Sequence, residues 1–285
     1  MTRWLVFGAT GAVGRALLAG WRAEEAGIDA VSRRVPPPPP RDGLRWLAGD
    51  LDTWQAPSAA YDAVLSVGPL DWFARWYDRA GPRAARVIAV GSTSVHSKLA
   101  SPDPDERDLA APSRASAAAC ASRGAALTVL RPTLIYGVGG DRNLSRFVAI
   151  ARRWGVVPLP RGATGRRQPV HAADVAGAVL AAVRAPAPVP GRFDLPGGET
   201  LPYDEMVRRT LAAAAPSARL WRVPDALFHT SFRLARAVGA VAGAGEGMVG
   251  RLGADLVYDG GAARAALGVA SRPFAPTAAM FEPPA

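Results

Sequence analysis

The chain has 285 residues, nearly half of them apolar, and a formal net charge of +10. That length suits one large α/β domain, or such a domain with a smaller lobe. A single cysteine, Cys120, excludes an intrachain disulfide framework and a cysteine-based zinc site. The histidines at 96, 171 and 229 lack ligand spacing, so no metal is expected. Lys98 is the one lysine and arginine supplies the other basic side chains, scattered among alanines without a dense block. A general attraction for anionic ligands follows, but no nucleic-acid partner is expected. No apolar run of ~18 residues suggests a membrane span. The first residues read as a strand, not a signal peptide, so a cytoplasmic protein is expected.

In chain order, Trp4–Phe7 reads as a first strand. It runs into Gly8, Gly11 and Gly14 at G-x-x-G-x-x-G spacing, followed by an amphipathic helix expected over Ala12–Glu25. A βαβ unit uses such a turn to bring a pyrophosphate against a helix N-terminus, where free N–H groups and the positive dipole end hold the phosphates. Gly8, Thr10, Gly11, Ala12, Val13 and Gly14 are therefore candidate dinucleotide ligands. The second strand, Ile28–Ser32, ends in Ser32-Arg33-Arg34, and Arg33 lies 19 residues beyond Gly14. Proteins that prefer NAD place a carboxylate near this point for the ribose 2′-hydroxyl; a guanidinium can instead grip a 2′-phosphate. Ser32, Arg33 and Arg34 thus point to NADP (NADPH) over NAD.

Pro36 to Pro40 form a polyproline loop. Leu44–Leu47 and Ala63–Val67 are the third and fourth strands, and Gly68-Pro69 turns into a helix carrying Trp72, Phe73, Trp76 and Tyr77. Those rings suit core packing or a subunit contact in a homodimer, or else a substrate-pocket wall. Arg86–Val90 is the fifth strand, Ala115–Arg123 a helix, and Ala126–Leu130 the sixth strand, closed by Arg131-Pro132. Beyond residue 140 come shorter elements at Leu144–Trp154, Ala172–Arg184, Arg192–Leu195, Tyr203–Ala214 and Arg219–Val223, with terminal helices at Met248–Leu252 and Ala262–Leu267. The expected fold is a Rossmann-type doubly wound parallel sheet. Residues 1–140 would form its dinucleotide-binding core. Residues 141–285 would add late core elements and a small, irregular, substrate-covering lobe.

Together these residues resemble the short-chain dehydrogenase/reductase superfamily, in its extended and atypical, epimerase/dehydratase-like branches. Gly8, Gly11 and Gly14 are similar to its nucleotide turn. The resemblance implies that Asp50-Leu51 contact adenine and that Ser66-Val67-Gly68 pass the cofactor ribose. Val90 to His96 resembles the family's serine-rich segment after the fifth strand. Leu130-Arg131-Pro132-Thr133-Leu134-Ile135-Tyr136-Gly137 resembles its L-R-P-x-x-(V/I)-Y-G, whose loop, Pro132 included, meets the nicotinamide side. Gln168 to Ala176 resembles its P-V-H-x-x-D-V-A segment.

One departure outweighs these matches. The family's Tyr-x-x-x-Lys pair is missing, because no tyrosine lies between Tyr77 and Tyr136 and no lysine follows Lys98. The equivalent helix, around Pro112 to Ala117, carries serine and arginine. Arg114 could supply the ribose-side charge, but arginine is not a useful general base. Ser92 is then the candidate for orienting a reacting oxygen, ahead of Thr93 and Ser94. His96 and Tyr136 are the candidate proton donors, and Lys98 could touch cofactor or substrate. His171 and Asp174 are expected to cap a helix, and Cys120 to be a small buried hydrophobe.

The expected function is an NADP-dependent oxidoreductase acting on a small-molecule substrate at a C=O, C=C or C=N bond. A cofactor-binding regulator or assembly factor is the alternative from another class. A sugar-nucleotide epimerase or dehydratase ranks lower, because its acid/base tyrosine is missing.

Overall fold

The structure is a computed structural model and describes residues 2–34, 41–56, 60–98, 111–137, 143–237 and 251–282. The polyproline loop lies outside the described residues. From the N-terminus the elements are β1 (Arg3–Phe7), α1 (Ala12–Gly20), β2 (Gly27–Ser32), β3 (Leu44–Ala48), β4 (Tyr61–Ser66), α2 (Leu70–Ala80), β5 (Ala84–Val90), α3 (Ser94–Ser97), α4 (Ala111–Ser122) and β6 (Ala126–Pro132). They continue through β7 (Ile135–Tyr136), α5 (Leu144–Trp154), β8 (Val156–Pro160), β9 (Arg166–Arg167), β10 (Val170–His171), α6 (Ala172–Arg184), β11 (Gly191–Leu195), β12 (Leu201–Pro202), α7 (Tyr203–Ala214), β13 (Arg219–Val223), α8 (Asp225–Ala237) and α9 (Gly261–Leu267).

Two compact units share the chain. One is built from Met1–Thr133, Val170–Pro196 and Asp259–Ser271, the other from Leu134–Pro169, Gly197–Tyr258 and Arg272–Ala285. The first holds a seven-stranded sheet in the order β11-β6-β5-β4-β1-β2-β3, with every neighbouring pair parallel. α2 packs with α4, and α1 packs with α6. The central strands are almost continuously apolar and buried, as a sheet covered on both faces requires. Strand order reverses between β1 and β4, and a crevice at such a reversal is where ligands bind in open α/β sheets.

Beneath α2, Phe73, Trp76 and Tyr77 join Leu5, Phe7, Val64, Val87, Ala119 and Cys120 in one core. The Trp76 ring sits 4.4 Å from Phe7, and its indole N–H donates to the Trp54 carbonyl at 2.8 Å. Three of the four α2 aromatics are therefore packing residues, and Trp72 alone is 40% exposed. Cys120 is a buried thiol that burial pushes up to about 12.

Two helix ends differ from expectation. The first helix stops at Gly20, not Glu25. Trp21 turns into the interior and donates to the Ala26 carbonyl, while the Arg41 guanidinium lies 4.7 Å over its ring and takes the Leu18 and Trp21 carbonyls. A cation from another segment thus caps the last turn. Of the segment expected as a helix at Met248–Leu252, Arg251 and Leu252 form a turn, and residues 248–250 lie outside the described residues. Here buried Arg167 takes the Arg251 and Ala254 carbonyls, and the Leu252 carbonyl accepts from the Gly165 amide. Those carbonyls are diverted from helical partners.

The second unit pairs β8 with β13 in parallel and β9 with β12 antiparallel. Its core gathers Leu144, Val148, Leu201, Met206 and Phe274 around Tyr136. Among the described residues no helix is long and apolar enough to cross a membrane.

Candidate active site

The glycine turn is built by backbone crowding. Gly8 has φ +82, a left-handed conformation that favours glycine. A Cβ there would meet the Gly68 nitrogen at 2.9 Å and the Val67 carbonyl carbon at 3.0 Å. A Cβ on Gly14 would lie 2.2 Å from the Gly8 oxygen, so α1 seats against the turn only with glycine at that position. The Gly11 amide donates to the Gly8 carbonyl at 3.0 Å, closing the turn. Thr10 and Gly11 are exposed, Ala12 is half-buried, and Val13 is buried beneath them. No side chain caps the N-terminus of α1 and its first turn carries no acidic residue. This is a cradle for an anion: bare backbone, a helix dipole and no competing carboxylate. A dinucleotide pyrophosphate fits that chemistry.

At the neighbouring strand ends, the Ser32 hydroxyl donates to the Arg34 carbonyl at 2.7 Å, holding the bend that carries Arg33 and Arg34. Both arginines are exposed. The Asp50 Oδ1 accepts from the Asp52 and Thr53 amides and from the Thr53 hydroxyl, each at 2.9 Å. Those Thr53 bonds, the Asp52 amide and the Arg33 charge outweigh burial and hold the carboxyl below its usual range. Leu51 packs on the core under α2.

Across the reversal point, Val67 and Gly68 are half-buried, and a Cβ on Gly68 would meet nothing within 4 Å. Ser66 differs. It is wholly buried, and its hydroxyl has no hydrogen-bond partner among the described residues. Pro132 is also buried, its carbonyl accepting the Thr93 amide at 3.1 Å and the Thr93 hydroxyl at 3.3 Å. These bonds anchor the loop after β5 to the end of β6.

That loop gathers the candidate chemistry. The Ser92 hydroxyl donates to the Ser94 hydroxyl at 2.9 Å and accepts from the Ser94 amide at 3.1 Å. His96, on the single-turn α3, places Nε2 at 3.2 and 3.1 Å from the two carboxylate oxygens of Asp194 on β11. The Arg131 Nε lies 2.7 Å from the same carboxylate, near enough for an ion pair but not aligned as a hydrogen bond. On β11 as well, the Arg192 Nε donates to the Ser113 hydroxyl of α4 at 2.9 Å. A guanidinium therefore does reach the helix where the Tyr-x-x-x-Lys pair is missing, and it comes from β11, whereas Arg114 is exposed.

Tyr136 belongs to the second unit. It is wholly buried, edge-on to Phe274 at 4.8 Å, and its hydroxyl accepts from the Ala275 amide at 3.4 Å. His171 caps α6 as expected, Nδ1 accepting from the Ala173 amide at 3.1 Å, and Asp174 lies in that helix's first turn. Among the described residues no group of three or more His, Cys, Asp or Glu side chains could hold a metal.

Asp194 and Arg192 were not legible as site residues. Arg131 lies inside the L-R-P segment, where nothing in the sequence points to Asp194. Only the order β11-β6-β5 makes these three strand ends neighbours.

No protein-family model matches the chain. No curated protein sequence matches it either. Solved structures do. MoeE5 in complex with UDP-glucuronic acid and NAD is 19% identical, with a TM-score of 0.68 over 95% of this chain and 94% of that one. The UDP-N-acetylglucosamine 4-epimerase from Bacillus cereus is 13% identical, with a TM-score of 0.65 over 99% and 94%. The human epimerase family protein SDR39U1 (isoform 2) with NADPH is 18% identical, with a TM-score of 0.65 over 98% of both chains. At these identities the likeness is one of architecture, and the chain has the Rossmann-type fold of these epimerase-like structures.

Proposed function

We propose that the chain is an NADP-dependent oxidoreductase of the extended or atypical short-chain dehydrogenase/reductase type, acting in the cytoplasm on a small C=O, C=C or C=N substrate. The observation that carries this reading is the Gly8–Gly14 turn at the β1/β4 reversal, where only bare backbone fits and α1 presents an uncapped N-terminus. Amides of Ala12 and Val13 at the start of α1 would hold the pyrophosphate, with the Gly11 amide closing the turn on the Gly8 carbonyl. Arg33 and Arg34 would take the 2′-phosphate, Asp50 and Leu51 the adenine edge, and Val67-Gly68 the ribose side. When bound, the nicotinamide supplies or accepts a hydride.

The chain's own residues supply the rest. Ser92 orients the reacting oxygen or nitrogen, its hydroxyl already fixed by Ser94. His96 moves the proton, because an imidazole can donate at one ring nitrogen and accept at the other, and its ring is held against Asp194. Tyr136 is kept as a packing residue, since its hydroxyl is buried and engaged by Ala275. The cofactors of the neighbours support both dinucleotides, NAD in MoeE5 and NADPH in SDR39U1. The two exposed arginines favour NADP here.

Calorimetry with NADPH and NADH, followed by NADPH oxidation across a carbonyl, enone and imine panel, tests the reading. Tighter binding of NADPH with turnover of one panel member supports it, as does loss of turnover in Ser92→Ala with unchanged NADPH affinity. Binding of neither dinucleotide ends it. Tight binding with no turnover favours a cofactor-binding regulator. A sugar-nucleotide substrate is the second reading, favoured by the ligand of MoeE5 and opposed by the missing tyrosine. UDP-sugars therefore belong in the panel.

A further inference from the structure

We infer that Asp194 is the positioning residue of the site: it fixes His96 as the acid/base group that stands in for the absent tyrosine. The inference rests on the oxidoreductase reading above and adds the residue that makes a loop histidine usable.

Three adjacent strands of one sheet build the arrangement. β11 and β6 run in parallel with Asp194 opposite Arg131. β6 and β5 run in parallel, and the loop after β5 is tied to β6 by Gly91 N–H to the Leu130 carbonyl and Thr93 N–H to the Pro132 carbonyl. The His96 amide donates to the Thr93 carbonyl at 2.9 Å, closing the single turn that aims the ring at Asp194. The carboxylate and Arg131 are each about five-sixths buried, so the pair is far less screened than a surface contact. The Arg131 charge lies beside the carboxylate, while its misaligned N–H leaves the oxygens to the imidazole.

An ionised carboxylate only accepts, so the ring nitrogen facing it carries hydrogen. The neutral ring is therefore held as the Nε2–H tautomer with Nδ1 as its basic nitrogen, the carboxylate–histidine logic of other acid/base sites. In reduction, a reduced nicotinamide dinucleotide is the hydride source. As the substrate carbon gains hydride, the Nδ1–H bond of the imidazolium breaks and an O–H or N–H bond forms on the substrate. The ring is left neutral, still donating Nε2–H to Asp194, and regains its proton from water. Asp194 exchanges no proton.

The test uses Asp194→Asn and Asp194→Glu in the full chain, with His96→Gln to assign the His96 ring signal among three histidines. Nitrogen-15 NMR reads the tautomer. Wild type is expected to show Nε2–H, Asp194→Asn a mixture, and Asp194→Glu the wild-type form. With the best panel substrate, kcat in Asp194→Asn is expected to fall about a hundredfold, with KM and NADPH affinity within about twofold and partial recovery in Asp194→Glu. An unchanged tautomer in Asp194→Asn, or unchanged kcat, overturns the inference while a turning-over wild type keeps the oxidoreductase reading. A tautomer shift in Asp194→Asn together with a wild type that turns over no panel member sinks both and leaves a structural ion pair.

Discussion

Gly8 and Gly68 approach one another where β1 and β4 diverge: a Cβ on Gly8 would sit 2.9 Å from the Gly68 backbone nitrogen, whereas a Cβ on Gly68 would touch nothing within 4 Å. The two glycines face the same reversal in strand order for different reasons, one crowded by the fold and the other beside open space.

That asymmetry predicts opposite mutants. Gly8→Ala combines a left-handed backbone, about 1–2 kcal/mol for a residue with a Cβ, with a backbone clash. A clear loss of thermal stability and of NADPH binding is expected. Gly68→Ala should leave stability within about 0.5 kcal/mol of wild type. Any fall in NADPH affinity for Gly68→Ala then reports a ligand in the open space. Melting curves with and without NADPH distinguish the two, and a stable Gly8→Ala with normal binding would contradict the turn's role.

Arg33 and Arg34 should set cofactor choice. Each charge-assisted bond to a 2′-phosphate is worth roughly 1.5–3 kcal/mol. Arg33→Glu with Arg34→Gln should therefore weaken NADPH at least about tenfold and leave NADH within about twofold. Calorimetry on both dinucleotides gives the ratio, and an unchanged ratio places 2′-phosphate recognition elsewhere.

A buried carboxylate ties together four strands of the sheet. Asp29 accepts from Arg45 at 2.9 and 2.7 Å, from the Tyr61 hydroxyl at 2.9 Å and from Arg3 at 3.3 Å. Burial works to raise its pKa, but the Arg45 and Tyr61 bonds and the two guanidinium charges outweigh it and hold the carboxyl below its usual range. The folded value lies below the unfolded one, so the stabilisation is full above the ordinary carboxylate range and is lost as pH falls through the folded value. Asp29→Asn should cost roughly 2 kcal/mol at neutral pH, less than a fully buried pair because both arginines are about half exposed. The gap between wild type and Asp29→Asn should narrow in acid. Urea melts from neutral pH down to about pH 3 show whether it does.

Within α2, Trp76 and Trp72 should behave differently despite their chemistry. Trp76→Ala removes a fully buried ring and its bond to Trp54, a loss of about 3–5 kcal/mol. Trp72→Ala, on the exposed side, should stay within about 0.5 kcal/mol. Denaturant midpoints for both variants check the assignment of the first ring to the core.

What could be read from the chain without coordinates was local. The Gly8–Gly14 turn, the strand and helix alternation through residue 130, and the His171 cap each depend on residues a few positions apart, where spacing and backbone sterics act directly. Helix ends were less legible. α1 stops because Arg41, some twenty residues downstream, takes its last carbonyls, and no periodicity within the helix records that.

The amino-acid order by itself determined that a strand meets bare glycines and a helix N-terminus, because left-handed backbone and close approach are properties of single residues. Only the tertiary structure decided which side chains share the far edge of the sheet. His96 and Asp194 lie 98 positions apart and become partners only because β5, β6 and β11 are neighbours in one sheet. It likewise decided that Tyr136, beside a loop expected to meet nicotinamide, is instead closed into an apolar core. Strand order is set by the packing of the whole sheet, and that order decides which distant residues meet.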